Sequence, residues 1–369
     1  MRRVDWLLAL AALALCGLGA VLVWSATEPR LLATGADPRT YLTKQLLNVA
    51  AGTALMIGLA AADHRVLRAY TPWAYLACCA GLLAVLTPLG RTVNGSQAWL
   101  GLGGFQMQPS EPAKLALALA LATVLGDLAD GQRRPGARQA GLALAVAAPP
   151  IGLVLLQPDL GTVLIMAAIV LGALFAAGVG LRWLGLLGVA AAAGGALVWW
   201  LGLLQPHQVR RLVAFAEPEA DPLGAGYTAH EALVTIGSGG AYGRGLFGGD
   251  QTAGRFVPEQ HTDFVFTVAG EELGFAGSAL VIVLVGIVLW RALRVAGLAG
   301  SAYGGVVAAC VACWLGVQTF VNVGMALGLA PVIGVPLPFV SYGGSATVSA
   351  LAAVGVLLSI HRGHPPRGY

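Results

Sequence analysis

Stretches of about twenty apolar residues recur along almost the whole of this 369-residue chain, and no other feature so narrows what it can fold into. A bilayer core of roughly 30 Å is crossed by about 20 helical residues, and within it every backbone donor and acceptor must pair internally. The chain is 57% hydrophobic and 10% charged, with mean hydropathy +0.79, against about 25% charged in a soluble domain. The expected architecture is an all-α polytopic membrane protein, one integral domain over 1–369. Hydropathy places about ten spans, near 6–26, 45–62, 73–89, 110–127, 140–156, 160–178, 184–204, 268–290, 304–327 and 343–360.

Arginine placement orients these spans. Arg2, Arg3, Arg65, Arg68, Arg133, Arg134, Arg138, Arg182, Arg291, Arg294, Arg362 and Arg367 fall on one alternate set of connections. That face is expected to be cytoplasmic, with both termini inside. The same rule accounts for the net charge of +4 and the pI near 8.9, so a nucleic-acid partner is not expected. Met1-Arg2-Arg3 followed by an apolar run looks like a signal peptide, but Trp6 to Trp24 is long enough to span and lacks a convincing cleavage site; it is read as a retained first helix. The five cysteines all sit in apolar stretches, and Cys310-x-x-Cys313 lies mid-span with no second pair, so small buried side chains are expected rather than a metal or disulfide site.

The opposite, outer face holds the polar chemistry. Its longest segment, 205–267 between the seventh and eighth spans, carries amphipathic stretches at Val209–Phe215 and Tyr227–Ile236, the latter running into Gly237-Ser238-Gly239-Gly240. Long connections of this kind are usually functional or disordered. At its end stands Phe256-Val257-Pro258-Glu259-Gln260-His261-Thr262-Asp263-Phe264. An ionised carboxylate beside hydrocarbon costs several kcal/mol, so Asp263 is the leading candidate for chemistry. Glu271 and Glu272 follow in the eighth span, with Glu271 about two turns below Asp263 if the helix begins that early and Glu272 facing elsewhere in a structural role. Glu111 and Lys114, three apart on one helical face, are either an interhelical ion pair or the lining of a cavity that opens toward Asp263. Arg210, Arg211, Arg244 and Arg255 are candidates for holding phosphates, in competition with simple solvation. His261 has no second histidine at ligand spacing, so a protein-ligated zinc is not expected. The Gly-x-Gly runs near 101–104 and 237–245 lack the strand-then-helix context of a phosphate loop, and close packing is the expected reason for them.

The blocks Asn94-Gly95 with Trp99-Leu100, Gln108-Pro109-Ser110-Glu111-Pro112-Ala113-Lys114-Leu115, Gln157-Pro158-Asp159-Leu160-Gly161-Thr162, Ile236 to Gly240, Pro258 to Phe264, and Asn322 through Gly328 to Pro338-Phe339-Val340-Ser341-Tyr342-Gly343-Gly344-Ser345 span most of the chain. Together they resemble the shape, elongation, division and sporulation (SEDS) family, and within it the rod-shape branch more than the division paralogue. One departure is Glu231-Ala232, where the family commonly has Gln-Ser. The resemblance implies a peptidoglycan glycosyltransferase of the bacterial cytoplasmic membrane that polymerises lipid II on the outer face, working with a class B penicillin-binding protein. It further implies Asp263 as general base, with Trp99, Gln108, Ser110, Glu111, Lys114, Arg210, Arg244, Glu271 and Ser341 in binding or supporting roles. The charge of a departing diphosphate would be met either by a divalent metal (Mg or Mn), held by no recognisable protein motif, or by arginine and lysine side chains. A lipid II flippase is the alternative of a different class; it would show repeat symmetry between halves, and no convincing repeat is visible.

Overall fold

The computed structural model describes residues 4–93, 95–102, 105–129, 137–202, 205–217 and 224–363. Arg2, Arg3, Asn94, Arg133, Arg134 and Arg367 lie outside the described residues.

Among the described residues, ten long helices fall where the ten spans are expected: α1 (Trp6–Ala33), α2 (Thr40–Ala61), α3 (His64–Val85), α4 (Ser110–Ala129), α5 (Ala137–Leu156), α6 (Leu160–Ala176), α7 (Leu181–Trp200), α12 (Gly274–Leu298), α13 (Ala302–Ala326) and α14 (Gly344–Arg362). Seven are long and apolar enough to cross a bilayer by length and composition alone. Of the other three, α4 carries Glu111, Lys114 and Asp127, α6 is 17 residues long, and α3 begins with His64, Arg65 and Arg68. Helix starts follow capping chemistry. The Asp5, Asp63, Asp159 and Ser301 side chains accept the backbone N–H of Leu8, Arg65, Thr162 and Gly304 at the heads of α1, α3, α6 and α13.

Small residues let the helices close on one another. A Cβ on Gly172 of α6 would lie 2.6 Å from Cys313 Sγ of α13, and one on Gly52 of α2 would lie 2.7 Å from Leu351 of α14. Glycine at such seams is how membrane helices gain van der Waals contact. The five cysteines are free, and buried Cys310 directs its thiol at the Ile169 carbonyl, 3.6 Å away, as expected of packing residues. Helices α13 and α14 form the buried centre, whereas α7 has no buried residue and packs against α6 at the margin.

Two features depart from the hydropathy reading. The Gly-rich outer connection folds into a three-stranded antiparallel sheet of β1 (Gly90–Val93), β2 (Ser96–Leu102) and β3 (Phe105–Met107), with Arg91 opposite Trp99. The eighth span is not one continuous helix: α11 (Val265–Glu272) ends at Leu273 and α12 restarts at Gly274, whose φ is +66°. The outer segment packs into this break, Arg244 and Gly245 donating backbone N–H to the Glu271 and Glu272 carbonyls, 3.0 Å each. A Cβ at Gly239, Gly243 or Gly274 would collide with backbone there, so close packing explains Gly239 and Gly243, whereas Gly237, Gly240 and Gly245 have open space around them. The remaining short helices are α8 (Pro206–Ala216), α9 (Ala225–Ser238) and α10 (Asp250–Gly254), the first two where amphipathic order is predicted. The Glu231-Ala232 departure sits in α9, where Glu231 uses its carbonyl to accept the Thr235 hydroxyl at 2.7 Å.

Candidate active site

A cavity of about 800 Å³ opens at one end of the helices, walled by the start of α2, the sheet, the Pro158–Asp159 turn, α8, the 259–263 turn and the irregular 333–346 segment. All of these belong to the set of connections that the sequence reading expects to face outward. Asp263 lies on its wall.

The backbone places that aspartate firmly. Glu259 adopts φ +50°, and its carbonyl accepts N–H groups from Thr262 and Asp263 at 3.2 and 2.9 Å, closing a tight turn. Fully buried Asn322 of α13 donates its amide to the Asp263 carbonyl and to that of Val335, 2.7 Å each, joining the turn to the irregular 333–336 segment. Gly334, at φ +71°, runs past the carboxylate so closely that a Cβ there would be 3.2 Å from Asp263 Oδ2. Burial pushes the Asp263 carboxyl up to about 7, with repulsion from Glu259 and Asp159 adding to it and the Arg211 guanidinium opposing it.

Of the other sequence-predicted residues, Trp99 and Gln108 also line the cavity. Gln108 reaches the Asp159 carboxylate at 3.3 Å, and its backbone N–H meets Ser345 Oγ at 3.0 Å. Lys114 and Glu111 do not line it. They form a buried pair at 2.8 Å one layer behind: Lys114 also donates to Gln318 Oε1 at 3.0 Å and lies 5.0 Å from the centre of the Trp314 ring. Gln318 in turn holds the Pro336 carbonyl at 2.9 Å, so the pair backs the cavity wall without facing into it. Ser110 is buried beside it. Ser341 is buried too, its hydroxyl accepting the Leu337 N–H at 2.8 Å and so closing the turn before α14.

Glu271 stands apart from Asp263, because α11 begins only at Val265. Its carboxylate caps α10, taking the Gln251 N–H and the Thr252 N–H at 2.8 Å each and the Thr252 hydroxyl at 2.7 Å. Glu272 accepts the Ser25 hydroxyl, a bond between α11 and α1, in keeping with a structural role. Arg244 is bound to Asp250 and to the Ser238 carbonyl, away from the cavity. Arg210 is exposed on the other side of α8, and its neighbour Arg211 lines the cavity instead. Sequence reasoning did not single out Tyr41, Lys44, Arg91, Asp159 or Glu259 as site residues, yet all border the cavity. Arg91 is brought opposite Trp99 by the β1–β2 register. Gly101 makes room for it: a Cβ there would be 2.6 Å from the guanidinium carbon.

Among the described residues, no group of three or more His, Cys, Asp or Glu side chains converges as a metal cage. Asp159 is engaged by Thr162 and Gln108. The protein side of the cavity therefore does not fit a resident, protein-held cation.

Fold and cavity together define a multi-pass membrane protein that gathers one perturbed carboxylate and several cationic side chains in a single cleft at one end of its helices. The cell cycle protein family that takes in FtsW, RodA and SpoVE matches residues 5–365, and the chain belongs to it. Peptidoglycan glycosyltransferase MrdB of Escherichia coli K12 is 37% identical over 360 residues, 97% of this chain and 94% of that protein. Among solved structures, the rod shape determining protein RodA of Thermus thermophilus superposes with TM-score 0.71 at 33% identity, covering 98% of this chain and 97% of that one. A chain from a peptidoglycan synthase complex that coordinates polymerization and crosslinking superposes with TM-score 0.80 at 33% identity, covering 98% of each.

Proposed function

We propose that this protein is a peptidoglycan glycosyltransferase of cell elongation, polymerising lipid II at the outer face of the bacterial cytoplasmic membrane with Asp263 as general base. The observation that carries the reading is the cavity itself, which holds a carboxyl with a proton affinity matched to neutral pH beside Lys44, Arg91 and Arg211. In the reaction an acceptor sugar hydroxyl attacks the anomeric carbon of the donor. Asp263 takes the hydroxyl proton, the anomeric carbon–oxygen bond breaks, and the bonding pair leaves with the polyprenyl diphosphate. Charge developing on that diphosphate is met by the cavity cations, already oriented in a low-dielectric cleft. Of the four arginines considered for phosphate, Arg211 lines the cavity and takes in this reading the role also given to Arg210 and Arg244. A divalent cation, where one is used, is carried by the substrate's diphosphate, and the steps above do not run through it.

The termini are cytoplasmic in this reading: Arg65, Arg68, Arg138, Arg182, Arg291, Arg294 and Arg362 cluster at the ends of the helices opposite the cavity. A class B penicillin-binding protein is the proposed crosslinking partner, supported by the likeness to the synthase complex. The test is polymerisation of purified lipid II in proteoliposomes, with and without that partner and with and without a chelator. Glycan strands are expected; lipid II crossing the bilayer with no glycan formed would assign the chain to the flippases instead.

A further inference from the structure

We propose that Tyr41, His261 and Tyr342 form an aromatic platform that binds a sugar ring of the substrate by stacking and so decides which sugar hydroxyl meets Asp263. This rests on the glycosyltransferase reading. The three rings come from distant parts of the chain: the first turn of α2, the turn that carries Asp263, and the segment leading into α14. They meet as one cluster, with centroids 5.2 Å apart for Tyr41 and His261, 5.0 Å for Tyr41 and Tyr342, and 5.7 Å for His261 and Tyr342. The Tyr342 N–H donates to the His261 carbonyl at 2.9 Å, which pins the cluster two residues from Asp263. All three side chains border the cavity and are only half-buried, so the rings are held by one another and still reachable by a ligand.

The chemistry of the corner suits a neutral ring. A pyranose shows polarised C–H groups on its face and hydroxyls at its rim, while an aromatic ring presents a negative face that attracts those C–H groups. Ordered aromatic side chains also give large contact area at low entropic cost. His261 belongs to this neutral surface: burial disfavours its protonated form, and Arg30 and Arg255 act in the same direction against the opposing pull of Glu259. The charged wall adjoins it directly, Lys44 Nζ lying 6.0 Å from the centre of the Tyr41 ring. A sugar on the platform therefore sits between a cation suited to its diphosphate and the carboxylate suited to a hydroxyl proton.

The test is a pair of binding measurements in nanodiscs, made on Asp263→Ala protein so that ligand is not consumed. The ligands are fluorescent lipid II and a sugar-free polyprenyl diphosphate. Tyr41→Ala and Tyr342→Ala are expected to weaken lipid II by about tenfold while leaving the sugar-free ligand within about twofold, and the Phe replacements to retain both affinities. Equal weakening of both ligands, or unchanged lipid II affinity, would overturn the platform. Glycan synthesis by the unaltered chain is measured in parallel: ring-dependent binding without glycan would leave the platform standing and remove the glycosyltransferase reading. Absence of any lipid II binding would remove both.

Discussion

As the proposed general base, Asp263 would accept a proton only while ionised, and burial raises its carboxyl to about 7, so below that pH most of the protein would carry it protonated and unable to act. The expected profile of kcat/KM therefore climbs about tenfold per pH unit at acid pH and levels off above about 7; a flat profile from pH 5 to 8 would show that another group takes the proton. Gly334 is the second residue-scale handle. At φ +71° and 3.2 Å from Asp263 Oδ2 to an added Cβ, Gly334→Ala is expected to cost about 1–2 kcal/mol of stability for the left-handed backbone and to lower kcat by displacing the carboxylate. Thermal unfolding and turnover measured together check both effects. That Asp263 borders the cavity was legible in the sequence, because a carboxylate at the edge of a span is chemically expensive. The choice of Arg210 over Arg211 was not legible: adjacent residues on a helix point about 100° apart, and the phase of α8 is set by buried Gln208, whose amide reaches the Pro158 carbonyl at 3.2 Å. Tyr41 and Lys44 gave no local signal, because their place on the cavity wall, and the meeting of Tyr41 with His261, depend on how α2 docks.

At the scale of elements, the long helices were readable from hydropathy, whereas the irregular segments between them were not. The break between α11 and α12 lies in the apolar-flanked Glu272-Leu273-Gly274, and only the docked 239–245 loop shows why it exists. Glu271 then belongs to α10, and Glu271→Gln is expected to destabilise the outer segment by about 1–3 kcal/mol through weakened capping. Limited proteolysis of the 240–262 region reads this out, and intact resistance would contradict it. The Glu111–Lys114 pair makes a second element-scale case. Lys114→Met alone leaves a buried carboxylate uncompensated and is expected to cost about 3–5 kcal/mol, while Glu111→Gln with Lys114→Met recovers much of that loss. A double variant as unstable as the single one would show that the pair does more than hold α4 to α13.

At the scale of the whole molecule, polar residues from six separate parts of the chain converge at one end of the bundle, and arginines mark the other. That one-sidedness suits a polymerase drawing substrate from the outer leaflet better than a transporter, which must present its site to both faces in turn. It also follows from sequence order: each span carries the chain across once, so every second connection lies on the same side, and distant motifs such as Gln108-Pro109 and Gly343-Gly344-Ser345 arrive at one cleft. The central claim is that Asp263 performs the chemistry there. It is tested most directly by incubating purified lipid II with the unaltered protein and with Asp263→Ala, each with a class B penicillin-binding protein whose transpeptidase is blocked, and measuring glycan length. The account predicts polymer from the unaltered protein and none above background from a folded Asp263→Ala; equal polymer from both would contradict it.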